Sequence, residues 1–175
     1  FKVDKTSKPL SEEKAAKFHR ITAKCLYITF RGRADIVIPV AFFTTRVKAP
    51  TIQDENKMTR LLAYLNGSKN LQMVFNCHDP KIMHLFCDAS HNSHDDGKSH
   101  AGSITTFGSG TIDMGCNKIK EVTKSSCESE LRTVSDKLGR GLWCKRVWQK
   151  IWGQKIKLIL HQDNKSTLRL LHEGR

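Results

Sequence analysis

Asp88, the pair Glu128 and Glu130, and Asp163 are acidic residues at the ends or starts of apolar segments. Asp88 lies near the end of an apolar run. Glu128 and Glu130 open a helical stretch after Ser126, and Asp163 follows a second apolar run. In a mixed sheet the two strand ends can be neighbours, and a helix packed over the sheet can add its Glu from above. Carboxylates gathered in this way repel one another unless a divalent cation compensates. Mg²⁺ suits such a site because it takes oxygen ligands and keeps several of its waters. Two such ions about 3.5–4 Å apart can activate a water and stabilise the leaving oxygen of a phosphodiester. Spacing alone leaves the plainer reading open. Asp88 would then start a turn, and Glu128 would favour a helix N-terminus.

The elements that must carry these acids follow from periodicity. The chain divides near Asn76 to Lys81. Before that point the pattern is helical. Ser11 can cap a helix with Glu12 and Glu13 in its first turn, and Phe18, Ile21, Cys25 and Ile28 share one face. Asp35 can cap a second helix carrying Val40, Phe43 and Val47, with Pro39 expected to kink it. A third runs from Thr51 to Leu65 with Met58, Leu61, Leu62 and Leu65 inward, stopped by Asn66-Gly67.

Beyond Pro80 the period changes. Lys81 to Ala89, Ala101 to Phe107 and Thr111 to Asn117 read as strands, the last two joined by a Gly108-Ser109-Gly110 hairpin turn. Ser125 or Ser126 opens a helix with Leu131, Val134 and Leu138 on one face. Gly139 and Gly141 are expected to interrupt it before it resumes from Leu142 to Trp152, where Gly153 ends it. Lys155 to His161 is a strand, and Asn164 caps a last helix with Leu168 and Leu171 inward. The predicted order is strand, strand, strand, helix, strand, helix, an α/β mixed sheet preceded by helices.

Thirty Lys and Arg against seventeen Asp and Glu give a net charge of +13, which favours a polyanionic partner. Between Lys137 and Lys157 there are seven basic residues and no acid, interleaved with Trp143, Trp148 and Trp152. Lys145, Arg146 and Lys150 are the candidates there for phosphate contacts, with the tryptophans at helical spacing read as core. Lys118, Lys120 and Lys124 form a second candidate group. No apolar run approaches the roughly 20 residues of a membrane span, so no membrane partner is expected. The six cysteines form no C-x-x-C pair. Cys87 and Cys144 read as buried thiols in a reducing compartment. His91, His94 and His100 fall in a polar stretch read as a solvated loop rather than a metal site. The chain begins at Phe1, which reads as a piece of a longer polypeptide.

The words around the acids add a resemblance. Leu85-Phe86-Cys87-Asp88-Ala89-Ser90 resembles the opening of the copia-type ribonuclease H domain, where an apolar strand leads into Asp-Ala-Ser. Lys98-Ser99-His100-Ala101-Gly102 is similar to that family's Lys-Ser-Thr-Ser-Gly step. Ser125-Ser126-Cys127-Glu128-Ser129-Glu130-Leu131 is similar to its Ser-Ser-Thr-Glu-Ala-Glu signature, followed by the Leu-Trp seen here as Leu142-Trp143. Gln162-Asp163-Asn164-Lys165-Ser166 resembles its Asp-Asn-Gln-Ser-Ala. Arg33-Ala34-Asp35-Ile36 and the stretch from Leu61 to Asn70 resemble words from the reverse transcriptase segment that precedes that domain.

The resemblance implies a ribonuclease H-like mixed sheet over 81–175, truncated at its C-terminus, after a helical connection segment over 1–76. It implies catalytic and metal-binding roles for Asp88, Glu130 and Asp163. Glu130 is preferred to its companion Glu128 because Leu131 then falls on the family's position. The implied reaction is hydrolysis of the RNA strand of an RNA–DNA hybrid with two Mg²⁺ ions, Mn²⁺ being the alternative metal. The implied partners are the hybrid and the polymerase part of the same polyprotein. The implied setting is intracellular: cytoplasm, virus-like particle or nucleus. The polymerase's Tyr-x-Asp-Asp turn is absent from this chain. A fourth metal-site residue of such domains is expected beyond Gly174-Arg175. The alternative is therefore an inactive fragment that only binds nucleic acid.

Overall fold

The structure is a computed structural model and describes residues 2–174. The chain forms two compact units, Phe1–Met73 and Val74–Arg175.

The first unit is helical. α1 (Glu12–Gly32) buries Phe18, Thr22, Cys25 and Thr29 at steps of four and three. The two threonines are tolerated in that core because each hydroxyl donates to a carbonyl one turn back, Thr22 to Phe18 at 2.9 Å and Thr29 to Cys25 at 2.7 Å. α2 (Val37–Arg46) supplies Val40, Ala41, Phe42 and Phe43, and α3 (Ile52–Gly67) supplies Met58 and Leu61. The rings of Phe18 and Phe43 meet edge to face at 5.6 Å. Three expectations need correction. Leu62 is 40% exposed. Asp35 caps nothing. It lies in a 3₁₀ turn, Ala34–Ile36, and its carboxylate takes the Arg33 guanidinium and the Tyr64 hydroxyl, each at 2.8 Å. Pro39 does not kink α2. It is the third residue of that helix, where its missing N–H would have been unpaired anyway.

The second unit holds a four-stranded mixed sheet. β2 (Ile82–Ser90), β3 (His100–Thr106) and β5 (Asp113–Lys118) form an antiparallel meander, and β6 (Lys157–His161) lies parallel to β2. α4 (Ser126–Trp152) connects β5 to β6, and α5 (Lys165–Glu173) follows. A meander, a crossover helix and a parallel strand beside the first long strand make the ribonuclease H-like arrangement.

Register explains which residues are buried. Met83, Leu85, Cys87 and Ala89 alternate with exposed Phe86 and Asp88 on β2. The buried set meets Val134, Leu138 and Cys144 of α4 and Leu158 and Leu160 of β6. Cys87 and Cys144 are buried free thiols, and burial pushes the Cys87 thiol up to about 11.

α4 is a single uninterrupted helix, so Gly139 and Gly141 do not break it. Gly141 is buried against the sheet. A Cβ there would lie 2.8 Å from Leu85 Cδ2. The glycine lets the helix backbone approach the strand, a contact with a residue 56 positions earlier in the chain. Gly108-Ser109 is also not a simple turn. These residues form β4 (Gly108–Ser109), paired antiparallel with β1 (Asn76–Cys77). Gly110 then takes φ +78°, a left-handed conformation suited to glycine. Leu131 and Leu171 are 37% and 41% exposed rather than inward.

Candidate metal site

Three elements converge on one point. Asp88 projects from near the end of β2, Glu130 from the second turn of α4, and Asp163 from just beyond β6. Each offers a carboxylate oxygen, and these atoms all lie within 4.8 Å of one another. β2 and β6 are adjacent and parallel with Phe86 opposite His161, so continuing that register past β6 brings Asp163 level with Asp88. α4 starts over that same end. Ser125 caps it by accepting the Glu128 N–H at 3.1 Å, and the Glu128 carboxylate accepts the Lys124 N–H at 2.7 Å. The structure therefore separates the two glutamates. Glu128 is exposed and its carboxylate is held by the Lys124 N–H just ahead of the cap, whereas Glu130 is buried and turned to the acids. Replacing Glu128 with Ala is expected to cost about 1 kcal/mol of stability and to leave any hydrolytic rate within about twofold. Urea unfolding and a rate assay on the same protein check both.

Glu130 is 4% exposed and accepts from the Gln162 side-chain amide at 3.1 Å. Burial raises its carboxyl above the usual range. The Gln162 amide and the Ala89 backbone N–H oppose that, while the charges of Asp88 and Asp163 raise it further. Gln162 was not foreseen as a site residue; only its place beside Asp163 could have drawn attention to it. Beside the acids an open cleft of about 570 Å³ is lined by Phe86, Asp88, His161, Asp163 and Leu168. The Phe86 and His161 rings stack there at 4.3 Å.

An all-oxygen donor set of three carboxylates, one buried and uncompensated, suits a hard divalent cation. These residues can hold a metal ion. Its identity is left open by three oxygen ligands alone.

The predicted phosphate contacts are placed unequally. Lys118 is already engaged, 2.7 Å from Asp96. Lys120, Lys124, Arg146 and Lys150 are exposed and Lys145 is half-buried, and none forms an ion pair among the described residues. Lys145 to Lys150 lie roughly 22–30 Å along α4 from Glu130 at 1.5 Å per residue. Trp148 packs on Phe107 as expected of core, while Trp143 is 52% exposed under the Arg140 guanidinium.

The histidine stretch is a solvated loop only in part: His91, Asp95 and Asp96 are exposed, but two of the three histidines are buried. His94 and His100 are 7% and 5% exposed. The His94 Nε2 lies 2.9 Å from His100 Nδ1, and His100 Nε2 lies 3.1 Å from Cys116 Sγ. Burial, then the neighbouring His94 and Lys137, hold His100 down to about 4. An unfolded histidine titrates near 6.5. The unfolded chain thus takes up a proton as pH falls through 6.5 while the folded chain stays neutral until about 4. Stability should fall by about 2 kcal/mol between pH 8 and pH 5 from this group. Urea midpoints of native protein and His100→Gln at both pH values should show a smaller fall in the variant. Equal falls would contradict the assignment.

Fold and site together define a mixed α/β domain whose strand ends and crossover helix gather three carboxylates able to hold a metal ion. Over 138 residues the chain is 26% identical to the Saccharomyces cerevisiae protein named "Putative transposon Ty5-1 protein", covering 74% of this chain and 45% of that protein. The similarity points to a retrotransposon-related protein, and the chain spans less than half the length of that curated relative. No family model matches the chain, and no solved structure matches it. Among the described residues no helix is long and apolar enough to cross a membrane.

Proposed function

We propose that the second unit is the ribonuclease H part of a copia-type reverse transcriptase and hydrolyses the RNA strand of RNA–DNA hybrids during retrotransposon reverse transcription. The observation that carries the reading is the convergence of Asp88, Glu130 and Asp163, from three elements, in a chain of net charge +13. A basic protein that holds an acidic point in an open cleft is built to bring a polyanion to a cation. The sheet order and the similarity to a transposon protein support the same reading.

Asp88, Glu130 and Asp163 would hold Mg²⁺, as two ions, with Mn²⁺ as a substitute. Bound there, the metal supplies the charge that activates a water and stabilises the leaving oxygen. The protein's own residues do the positioning. Gln162 fixes the Glu130 carboxylate, so its oxygens need no reorganisation. Asp88 and Asp163 stand exposed at the cleft, where a phosphodiester can reach them. Lys120, Lys124, Lys145, Arg146 and Lys150 take backbone phosphates, and the substrate's 2′-hydroxyl is the feature that separates RNA from DNA. Water attacks phosphorus in line and leaves a 3′-hydroxyl and a 5′-phosphate. The partners on this reading are the hybrid and the polymerase part of the same polyprotein.

The test offers the protein four Mg²⁺-supplemented substrates of one sequence: hybrid, DNA duplex, RNA duplex and single-stranded RNA. Cutting confined to the RNA strand of the hybrid is expected. Equal cutting of all four would replace this reading with an unspecific nuclease. Salt-sensitive binding without cutting would favour a fragment that only grips nucleic acid.

A further inference from the structure

His84 and His161 take no part in the chemistry proposed above, yet the sheet brings their rings together. β2 and β6 are neighbours, with His84 opposite Ile159 and Phe86 opposite His161, so the two histidines stand diagonally on one face of the sheet. That face also carries Phe86 and Asp88, and it is turned away from the Met83, Leu85 and Cys87 side that meets α4. His84 Nδ1 lies 2.8 Å from His161 Nε2, one ring donating its N–H to the other. The two ring planes are inclined by 38°. Phe86 stacks on His161 at 4.3 Å with planes 13° apart, which holds the orientation of that ring. The outer nitrogens, His84 Nε2 and His161 Nδ1, make no hydrogen bond among the described residues. Both rings are half-buried, and His161 lines the open cleft.

We infer that His84 and His161 form a second metal site, a two-nitrogen chelate for a borderline divalent ion such as Zn²⁺, different in chemistry from the all-oxygen carboxylate site. Neutral imidazole suits such ions, whereas Mg²⁺ takes oxygen. At metal–nitrogen bonds of about 2.0–2.1 Å, two ligands at a right angle stand about 2.9 Å apart, and two at the tetrahedral angle about 3.3 Å. The observed 2.8 Å is close to the first of these. The rings therefore need to rotate rather than travel for both lone pairs to converge on one ion. The proton now shared between them moves to an outer nitrogen of the ring that carries it. Both rings stay neutral, and no proton is released. Among the described residues no third His, Cys, Asp or Glu donor lies close enough to join the pair. Water completes the shell, and the bound ion stays open to a further ligand from the cleft.

The inference does not rest on hydrolysis, and its test reads binding alone. The full chain, labelled with ¹⁵N in histidine, is titrated with Zn²⁺ in the presence of excess Mg²⁺, which competes for the carboxylates. The imidazole signals of His84 Nδ1 and His161 Nε2 should move together and saturate on one curve. Mg²⁺ alone should leave both in place. Loss of a group that merely supports a metal ligand costs about 10–100-fold in affinity, so loss of a ligand should cost at least about tenfold. His84→Gln and His161→Gln, each checked for folding by circular dichroism, should therefore weaken Zn²⁺ binding at the remaining ring by that factor or more. The titration of the native protein stands even where a variant fails to fold. Zn²⁺ that moves other histidine signals and leaves these two in place would overturn the inference, the rings then being a hydrogen-bonded pair only. So would equal affinity in the native protein and the folded variants, or equal movement of both signals with Mg²⁺ alone.

Discussion

Glu130→Gln is expected to make the cation-free protein more stable and to abolish hydrolysis. Burial and the charges of Asp88 and Asp163 raise the Glu130 carboxyl, so its ionised form is held against a free-energy cost in the fold. A group whose folded pKa is raised contributes stability below its unfolded pKa, and loses that contribution as pH rises through the folded value. At neutral pH the carboxylate is therefore a liability unless a cation compensates. Gln keeps the shape, can still accept from Gln162, and carries no charge. Its melting temperature without metal should exceed the native one at pH 7.5, and the gap should close as pH falls towards 4. Added Mg²⁺ should stabilise the native protein and leave the variant unmoved. Hybrid cleavage should fall about a thousandfold, or ~4 kcal/mol of barrier. A variant less stable than native without metal would mean that Glu130 serves the fold instead.

Gly141→Val is expected to produce the largest loss of stability. A Cβ at 141 already meets Leu85 Cδ2 at 2.8 Å, and Leu85 is 1% exposed. Adding branched γ carbons forces α4 off the sheet or Leu85 out of its rotamer, an overpacking cost of about 3 kcal/mol. The same movement would shift Glu130 relative to Asp88, so metal-dependent stabilisation should weaken as well. Gly139→Ala is the contrast. Nothing lies within 4 Å of a Cβ there, and the position is inside a helix. Alanine should stabilise it by about 0.5–1 kcal/mol. Urea midpoints of the two variants should move in opposite directions.

These two glycines also mark how far sequence reasoning reaches. Residues that act through neighbours along the chain were legible. Phe18 and Cys25 on one face of α1, the alternation of β2, and the Ser125 cap that starts α4 all follow from local spacing. Glu128 and Glu130 could be told apart only through the family's words, since both sit in early turns of one helix. The structure gives the physical distinction, an exposed carboxylate held by the Lys124 N–H at the helix start for Glu128 and a buried carboxylate for Glu130. Residues whose role depends on a partner far away in the chain were misread. Gly141 looks like a breaker until Leu85 is placed beneath it. Gly108-Ser109 looks like a turn until Asn76-Cys77 comes to pair with it. His94 and His100 look solvated until each supplies the other with a buried nitrogen. Pro39 misled for a different reason. Its effect depends on where the helix begins, and a 3₁₀ turn placed that start only two residues before it.

The most direct measurement is cleavage of an RNA–DNA hybrid, labelled separately on each strand, by native protein and by Asp88→Asn in Mg²⁺. Asp88 is exposed on β2, so the Asn variant should fold as the native protein does. The account predicts cutting of the RNA strand by the native protein, 5′-phosphate and 3′-hydroxyl products, and a loss of about a thousandfold or more in the variant. Equal cutting by both proteins, or cutting of the DNA strand, would contradict it.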